Sequence, residues 1–330
     1  MKKYIYSVCF TFVLAAFTLF VVLDTFVISR PMEYVQEINT SMFSSNENVS
    51  RSDPAVNSEK NSNNNSESTD NNNSPSETST ENAVTDQSED TGTVSEENNS
   101  QTSGKSVSTD GAELLGEYQN DQASIKLYGY KYENTSVYVA DIIVSSSEYI
   151  RTAFANDYYG KNVTAKTSDT AQQNNAVLAI NGDYYGARES GYVIRNGVVF
   201  RDVSDGQDLM CVYADGTMRI VNSESQSAQA LVEQGVWQAF CFGPALVQNG
   251  QVDVAVNAEV GKAMASNPRT AIGMVDNCHY VFVVSNGRTK TDKGLSLYQL
   301  ASFMQNIGVD SAYNLDGGGS STLYLQDLPQ

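Results

Sequence analysis

Histidine is almost missing from this chain, with His279 alone among 330 residues. Serine-protease triads, histidine phosphotransfer and zinc sites built on histidine pairs all need more than that. Cysteine is scarce too: Cys9, Cys211, Cys241 and Cys278, with no Cys-x-x-Cys spacing. Cys9 lies in an apolar run, and the other three, an odd number at strand positions, read as small buried hydrophobes rather than a disulfide framework. Basic residues are short as well, 20 Lys and Arg against 39 Asp and Glu, a net charge of −19. No stretch supplies the basic patch that a phosphate backbone demands, so nucleic acid is excluded as a partner. An enzyme built on this chain works with carboxylates, Arg and Lys, and no pattern calls for a metal or cofactor.

Three pieces follow one another. Lys2 and Lys3 precede an apolar run from Tyr4 to Ile28, broken by hydroxyls, Cys9 and Asp24. Its 25 residues exceed the ~20 that a bilayer core needs and the ~7–15 of a signal-peptide core. Residues 1–30 therefore read as a cytoplasmic stub and transmembrane signal anchor, with 4–28 in the membrane and the rest of a single-pass protein outside the cell. A cleaved signal peptide is the alternative. Residues 31–110 read as a disordered linker. Positions 44–109 hold 17 Ser, 13 Asn, 8 Thr and no aromatic residue, a composition that cannot offset its ordering entropy. Residues 111–330 hold the folded domain.

Within that domain Val137–Val144 and Ala176–Ile180 read as strands. Asn196-Gly197, Asp215-Gly216 and Asn249-Gly250 mark hairpins, and a fourth joins Thr270–Val275 to His279–Val284. Ser145 with Glu148 forms a capping-box pattern for a helix through Asn156, and further helices fit Ser227–Gln234 and Ser296–Ile307. Many hairpins and few helices predict an α+β fold with a mainly antiparallel or mixed sheet.

Four stretches depart from this pattern. Asn181-Gly182-Asp183-Tyr184-Tyr185-Gly186 follows an apolar strand, where side chains leave the core and Gly182 allows close approach of a ligand, although an ordinary Asn-Gly turn has the same look. Phe242-Gly243-Pro244 and Asn267-Pro268-Arg269-Thr270 hold two of the domain's three prolines, and are either rigid site turns or hairpin punctuation. The fourth is Asn314-Leu315-Asp316-Gly317-Gly318-Gly319-Ser320-Ser321. Three consecutive glycines are entropically costly, and their amides, with the Ser320 and Ser321 hydroxyls, have the makings of an anion-binding nest beside Asp316. The P-loop lysine is missing, so a nucleoside triphosphate site is not indicated.

In order and spacing these stretches, with Asn286-Gly287-Arg288, resemble the phosphodiester glycosidase family over roughly residues 120–326, Leu-Asp-Gly-Gly-Gly-Ser-Ser being the most specific element. The resemblance implies hydrolysis of a sugar–O–phosphate glycosidic bond on an extracytoplasmic substrate. One departure is Asn286, where the family pattern leads us to expect Asp. Such a bond needs cationic and N–H stabilisation of the phosphate and a carboxylate at the oxocarbenium-like carbon. Arg269, Arg288 and the Gly317–Gly319 amides suit the first task, Asp183 or Asp316 the second, with either carboxylate free to be nucleophile or base. Asn181, Gly182, Gly243, Asn314 and Ser320 complete the candidate substrate contacts. A wall or capsule polysaccharide with sugar-phosphate links is the expected substrate. The alternative is a membrane-tethered, non-catalytic saccharide-binding or exopolysaccharide-biosynthesis accessory domain, which the Asn286 departure favours.

Overall fold

The computed structural model describes residues 2–26, 28, 30–31, 43, 105–258 and 266–326, which fall in one compact unit. The first elements are helix α1 (Lys2–Phe26) and strands β1 (Arg30–Pro31), β2 (Glu113–Gln119), β3 (Ala123–Tyr132), β4 (Thr135–Val144) and β5 (Gly160–Lys161). Next come α2 (Thr167–Gln173), β6 (Leu178–Ile180), β7 (Val193–Arg195), β8 (Val198–Arg201), β9 (Asp208–Tyr213) and β10 (Met218–Asn222). Then follow α3 (Ala228–Glu233), β11 (Val236–Phe240), β12 (Ala245–Gln248), β13 (Gln251–Val252), β14 (Arg269–Asp276) and β15 (His279–Ser285). The chain closes with α4 (Leu297–Asn306), β16 (Ser311–Asn314) and β17 (Leu323–Leu325).

The fold is α+β. An eight-stranded sheet has the order β13-β12-β16-β14-β15-β4-β3-β2, a five-stranded sheet the order β10-β9-β11-β7-β8, and β17 pairs with β6. Among the described residues every strand pairing is antiparallel, so the mixed alternative is set aside.

Period-two alternation dictates the layering. On β4, Val137 and Val139 face the helix α4, joining Leu297, Leu300 and Met304 in one core. Ala140 and Ile142 face the other way and meet Met210, Val212 and Phe240 of the five-stranded sheet. Leu209 and Cys211, on the far face of that second sheet, pack with Leu231 and Val232 of α3. The result is helix, large sheet, small sheet, helix, each apolar face covered by the next layer.

The hairpin chemistry formed as read: Asn196-Gly197 and Asn249-Gly250 both take positive φ at each residue, the requirement of the tight hairpin turn. Helix α4 carries the full capping box, with the Ser296 hydroxyl accepting from Gln299 N and the Gln299 side chain accepting from Ser296 N. Three expectations need correction. No helix runs from 145 to 156; 3₁₀ turns form at Ser147–Tyr149 and Ala155–Asp157. The reason is tertiary: the carbonyl of Ile150 accepts from the Trp237 indole and the Gln238 amide, and Thr152 N donates to Asn196 Oδ1, so side chains of the small sheet claim backbone that a helix would use. In exchange α2, which the sequence reading lacked, forms under Lys166 without a side-chain cap. The anchor expected over residues 4–28 is not found: among the described residues no helix is long and apolar enough to cross a membrane. Helix α1 covers Lys2–Phe26 and holds Asp24 in its last turn.

The linker expected over 31–110 lies for the most part outside the described residues. Its last positions lead into the fold: Val107 is buried in the α4 core and Ser108 N donates to Ile307 O. Among the described residues the cysteines are free, Cys211 and Cys241 buried as expected. His279 bonds through Nε2 to Asp141 Oδ1 at 2.6 Å on the large sheet, which spends the chain's one imidazole on strand-to-strand contact.

Replacing Ser296 by Ala removes half of the capping box and should lower stability by about 1 kcal/mol. Urea unfolding would read this directly, and an unchanged midpoint would show that the α4 N-terminus does not depend on its cap.

Candidate active site

Asn181 leaves the short strand β6 and acts as a hub. Its Nδ2 donates to Asp316 O at 2.6 Å, while its Oδ1 accepts from Thr270 Oγ1 at 2.9 Å and Thr322 N at 3.1 Å. One amide thus joins the 181–186 segment, the start of β14 and both ends of the glycine loop. Gly182 adds a backbone bond, its carbonyl accepting from Asp316 N at 3.2 Å.

The two candidate carboxylates are held differently. Asp183 has a side chain 2% exposed and ion-pairs through Oδ1 with Arg195 Nη2 at 2.6 Å. Its Oδ2 accepts from Cys241 N at 3.1 Å. Arg195 also donates to the carbonyls of Ile194 and Ala239 and lies 4.3 Å above the Phe240 ring. Asp183 is therefore committed to a buried, hydrogen-bonded pair. Asp316 is half-buried, and among the described residues its side chain accepts one hydrogen bond, from the adjacent Gly317 N at 2.9 Å. Its carboxylate is the one with bonding capacity left for a substrate.

Both acids line a cavity of about 1730 Å³ that also takes in Asn181, Tyr184, Gly319 and Ser320. Tyr185 lines it as well and stacks on Tyr159, with centroids 5.2 Å apart and planes 19° from parallel. Burial pushes the Tyr185 phenol up to about 12, eased by the nearby Arg195 charge, so it stays an O–H donor at neutral pH.

The expected amide nest is largely consumed by the loop itself. Gly318 N donates to Pro268 O at 2.9 Å, Ser320 N to Gly317 O and Ser321 N to Gly318 O, while Gly317 N goes to Asp316. Gly319 N is left without a partner among the described residues. What the glycines provide is proximity. A Cβ on Gly317 would lie 2.9 Å from Pro268 O, and one on Gly318, where φ is +63°, would lie 3.3 Å from Arg288 Nη2. From the other direction, a Cβ on Gly287 would stand 2.6 Å from Pro268 N, and one on Gly294 2.6 Å from Asn267 C.

Arg269 and Arg288 come together at this loop rather than on the cavity wall with the acids. Arg269 is 4% exposed, its Nε donating to Leu295 O at 2.9 Å. It shares the face of Ala271 and Gly273, towards α4, whereas Thr270 and Ile272 face the cavity side. The expectation that Arg269 lines one pocket with Asp183 and Asp316 is corrected accordingly: period-two alternation turns it to the opposite face. Arg288, at φ +60°, directs Nε and Nη2 to Asn267 Oδ1. Neither guanidinium ion-pairs with a carboxylate among the described residues. Burial, then the charge of Arg288, lowers Arg269 to about 10, so the pair remains cationic at neutral pH and mutually repulsive.

Gly243 and Asn314 are scaffold rather than surface. Asn314 is 1% exposed and donates through Nδ2 to Gly243 O at 2.8 Å. Asn286 is exposed, with its N–H bonded to Ser136 O, and does not line the cavity. The sequence reading missed the part played by Arg195. Its signal was a charged residue closing the apolar run Val193-Ile194 just before a hairpin turn.

Residues 174–329 match the family model described as phosphodiester glycosidase, a class of glycosidase-like hydrolase. The match spans 156 of the 330 residues. A protein of the SPbeta prophage of Bacillus subtilis, YomE, is 28% identical over 174 residues, which are 50% of this chain and 27% of that protein. The chain thus spans about a quarter of that relative's length. A hypothetical protein from Synechocystis is similar in structure at TM-score 0.49 and 14% identity, covering 62% of this chain and 58% of that one. The zebrafish N-acetylglucosamine-1-phosphodiester alpha-N-acetylglucosaminidase catalytic domain, auto-inhibited by its pro-peptide, gives 0.44 and 19%, covering 65% and 77%.

Two outcomes separate structural from chemical roles. Asp183→Asn strands the buried Arg195 charge and should cost about 3–5 kcal/mol, whereas Asp316→Asn should change unfolding free energy by less than about 1 kcal/mol. Equal losses by denaturant titration would sink the distinction. The loop carrying Arg288 is tied down by Asp292, which accepts from the Ser136 hydroxyl at 2.7 Å and the Ser136 N–H at 2.6 Å. These bonds hold its carboxyl well below the usual carboxylate range. The depressed value stabilises the fold above the unfolded pKa of about 4, and the contribution is lost as pH falls below it. The melting-temperature gap between wild type and Asp292→Asn should therefore be largest near pH 7 and narrow below pH ~4.

Proposed function

We propose that this domain hydrolyses the glycosidic bond of a sugar-1-phosphodiester, on an extracytoplasmic polymer such as a wall or capsule polysaccharide. The observation that carries the reading is polarity along one loop. Asp316 opens it on the cavity side, and two residues later the Arg288 guanidinium, which has no acid partner among the described residues, stands against Gly318, with the backbone of Arg269 against Gly317. A glycosyl phosphodiester has the same polarity: an anionic phosphate on one side of the scissile bond, a carbon gaining positive charge on the other. In this reading the exposed Arg288 fork takes the phosphate, with the buried charge of Arg269 behind it, and the phosphate leaves as an already weak base that needs little protonation. Asp316 acts at the anomeric carbon, and Asp183 with Arg195 holds the floor on which Tyr184 and Tyr185 are mounted. The family match supports the bond type.

The test is hydrolysis of N-acetylglucosamine 1-(methyl phosphate) in ¹⁸O-water. Glycosidic cleavage puts the label in the sugar; label in methyl phosphate would show a phosphodiesterase and overturn the reading. Asp316→Asn should lower turnover at least ~100-fold. Arg269→Met should abolish inhibition by inorganic phosphate while leaving stability equal or higher, because it removes a buried charge that has no acid partner. Retained phosphate inhibition in that variant would free Arg269 from the role.

A further inference from the structure

The cavity is too large and too uncharged for the proposed reaction on a single sugar. At about 1730 Å³ it exceeds the ~300–1,000 Å³ of ordinary small-ligand sites. Its charged lining consists of Arg151, Lys166, Asp183, Arg195 and Asp316, and Asp183 and Arg195 neutralise each other. Two cations and one anion remain along a wall that is otherwise amide, hydroxyl, aliphatic and aromatic. Exposed Gln122, Thr164, Asn174 and Asn175 offer donors and acceptors. Tyr118 and Tyr149 are half-buried in it, and Tyr184, 57% exposed, stands next to Asp183. An amphipathic ring with one bare face suits the C–H face of a sugar, and amides suit its hydroxyls.

Resting on the phosphodiester reading above, we infer that the cavity binds a run of several uncharged sugars, with Tyr184 as a stacking platform beside the cleavage point. The substrate is then a neutral glycan carrying an isolated phosphodiester, not a poly(glycosyl phosphate). A chain with a phosphate at every repeat would place anions along the cavity, where Arg151 and Lys166 are the cations left to meet them. The single phosphate instead falls where the glycine loop leaves the cavity after Asp316 and meets Arg288 at Gly318.

Calorimetry with the wild-type chain tests this without any turnover. Maltopentaose, cellopentaose and chitopentaose are compared with glucose and N-acetylglucosamine. At least one pentasaccharide should bind at least tenfold more tightly than its monosaccharide, and Tyr184→Ala should remove most of that gain at unchanged melting temperature. Poly(glycerol phosphate) should not compete. Equal affinity for one and five sugars, no binding by any of the three pentasaccharides, or competition by poly(glycerol phosphate) would each overturn the inference. Pentasaccharide binding without hydrolysis of any sugar-1-phosphodiester would remove the catalytic reading and leave this one standing. Hydrolysis with no gain from added sugars would do the reverse.

Discussion

Close backbone approach around Asn267-Pro268-Arg269 is the constraint on which the candidate site depends. Gly287 and Gly294, from the loop between β15 and α4, and Gly317, from the glycine loop, each place a would-be Cβ within 3 Å of this short segment. No side chain fits at those points, and Gly294 has a φ of +94° besides. Because these segments pack at backbone distance, the arginine of β14 and the arginine of the 286–294 loop meet at the glycine loop that Asp316 opens on its cavity side. Glycine here is a spacer of zero thickness.

That arrangement separates the work of the charged groups. Asp183 and Arg195 satisfy each other in the interior, where an unpaired charge would be expensive, and their net field at the cavity is small. Arg269 has no such compensation. Burial and the charge of Arg288 depress its basicity, so the pair is a stored electrostatic demand that an anion would relieve. Sites with this kind of unrelieved charge mark function more reliably than satisfied pairs do.

Much of this was legible in the residues, and the failures have physical causes. Hairpin turns and the α4 cap are local, set by residues within four positions of one another, and they formed as read. The 145–156 stretch had a valid local cap, yet Trp237, Gln238 and Asn196, distant in sequence, took over its backbone. The glycine loop was visible in the sequence, but the use of its amides was not: donors that look free in sequence are spent on Pro268 and on the loop's own carbonyls. Arg269 was recognised by type and neighbourhood, while its face depended on strand register, which a single residue reading does not reveal. The role of Arg195 needed the fold, because its partner lies 12 positions earlier across a loop and its other bonds reach Ala239.

The Asn181 hub has a mechanical consequence. One carboxamide carries the load between β14 and both ends of the glycine loop, whereas Asp183 and Arg195 bolt the cavity floor to the small sheet through Cys241 and Ala239. The floor is stiff because its bonds radiate into several strands; the loop is held by the Asn181 side chain and by three backbone bonds, Leu315 N to Thr270 O, Asp316 N to Gly182 O and Gly318 N to Pro268 O. Asn181 is thus the one side chain whose loss would slacken both ends of the glycine loop at once while leaving the cavity floor bolted.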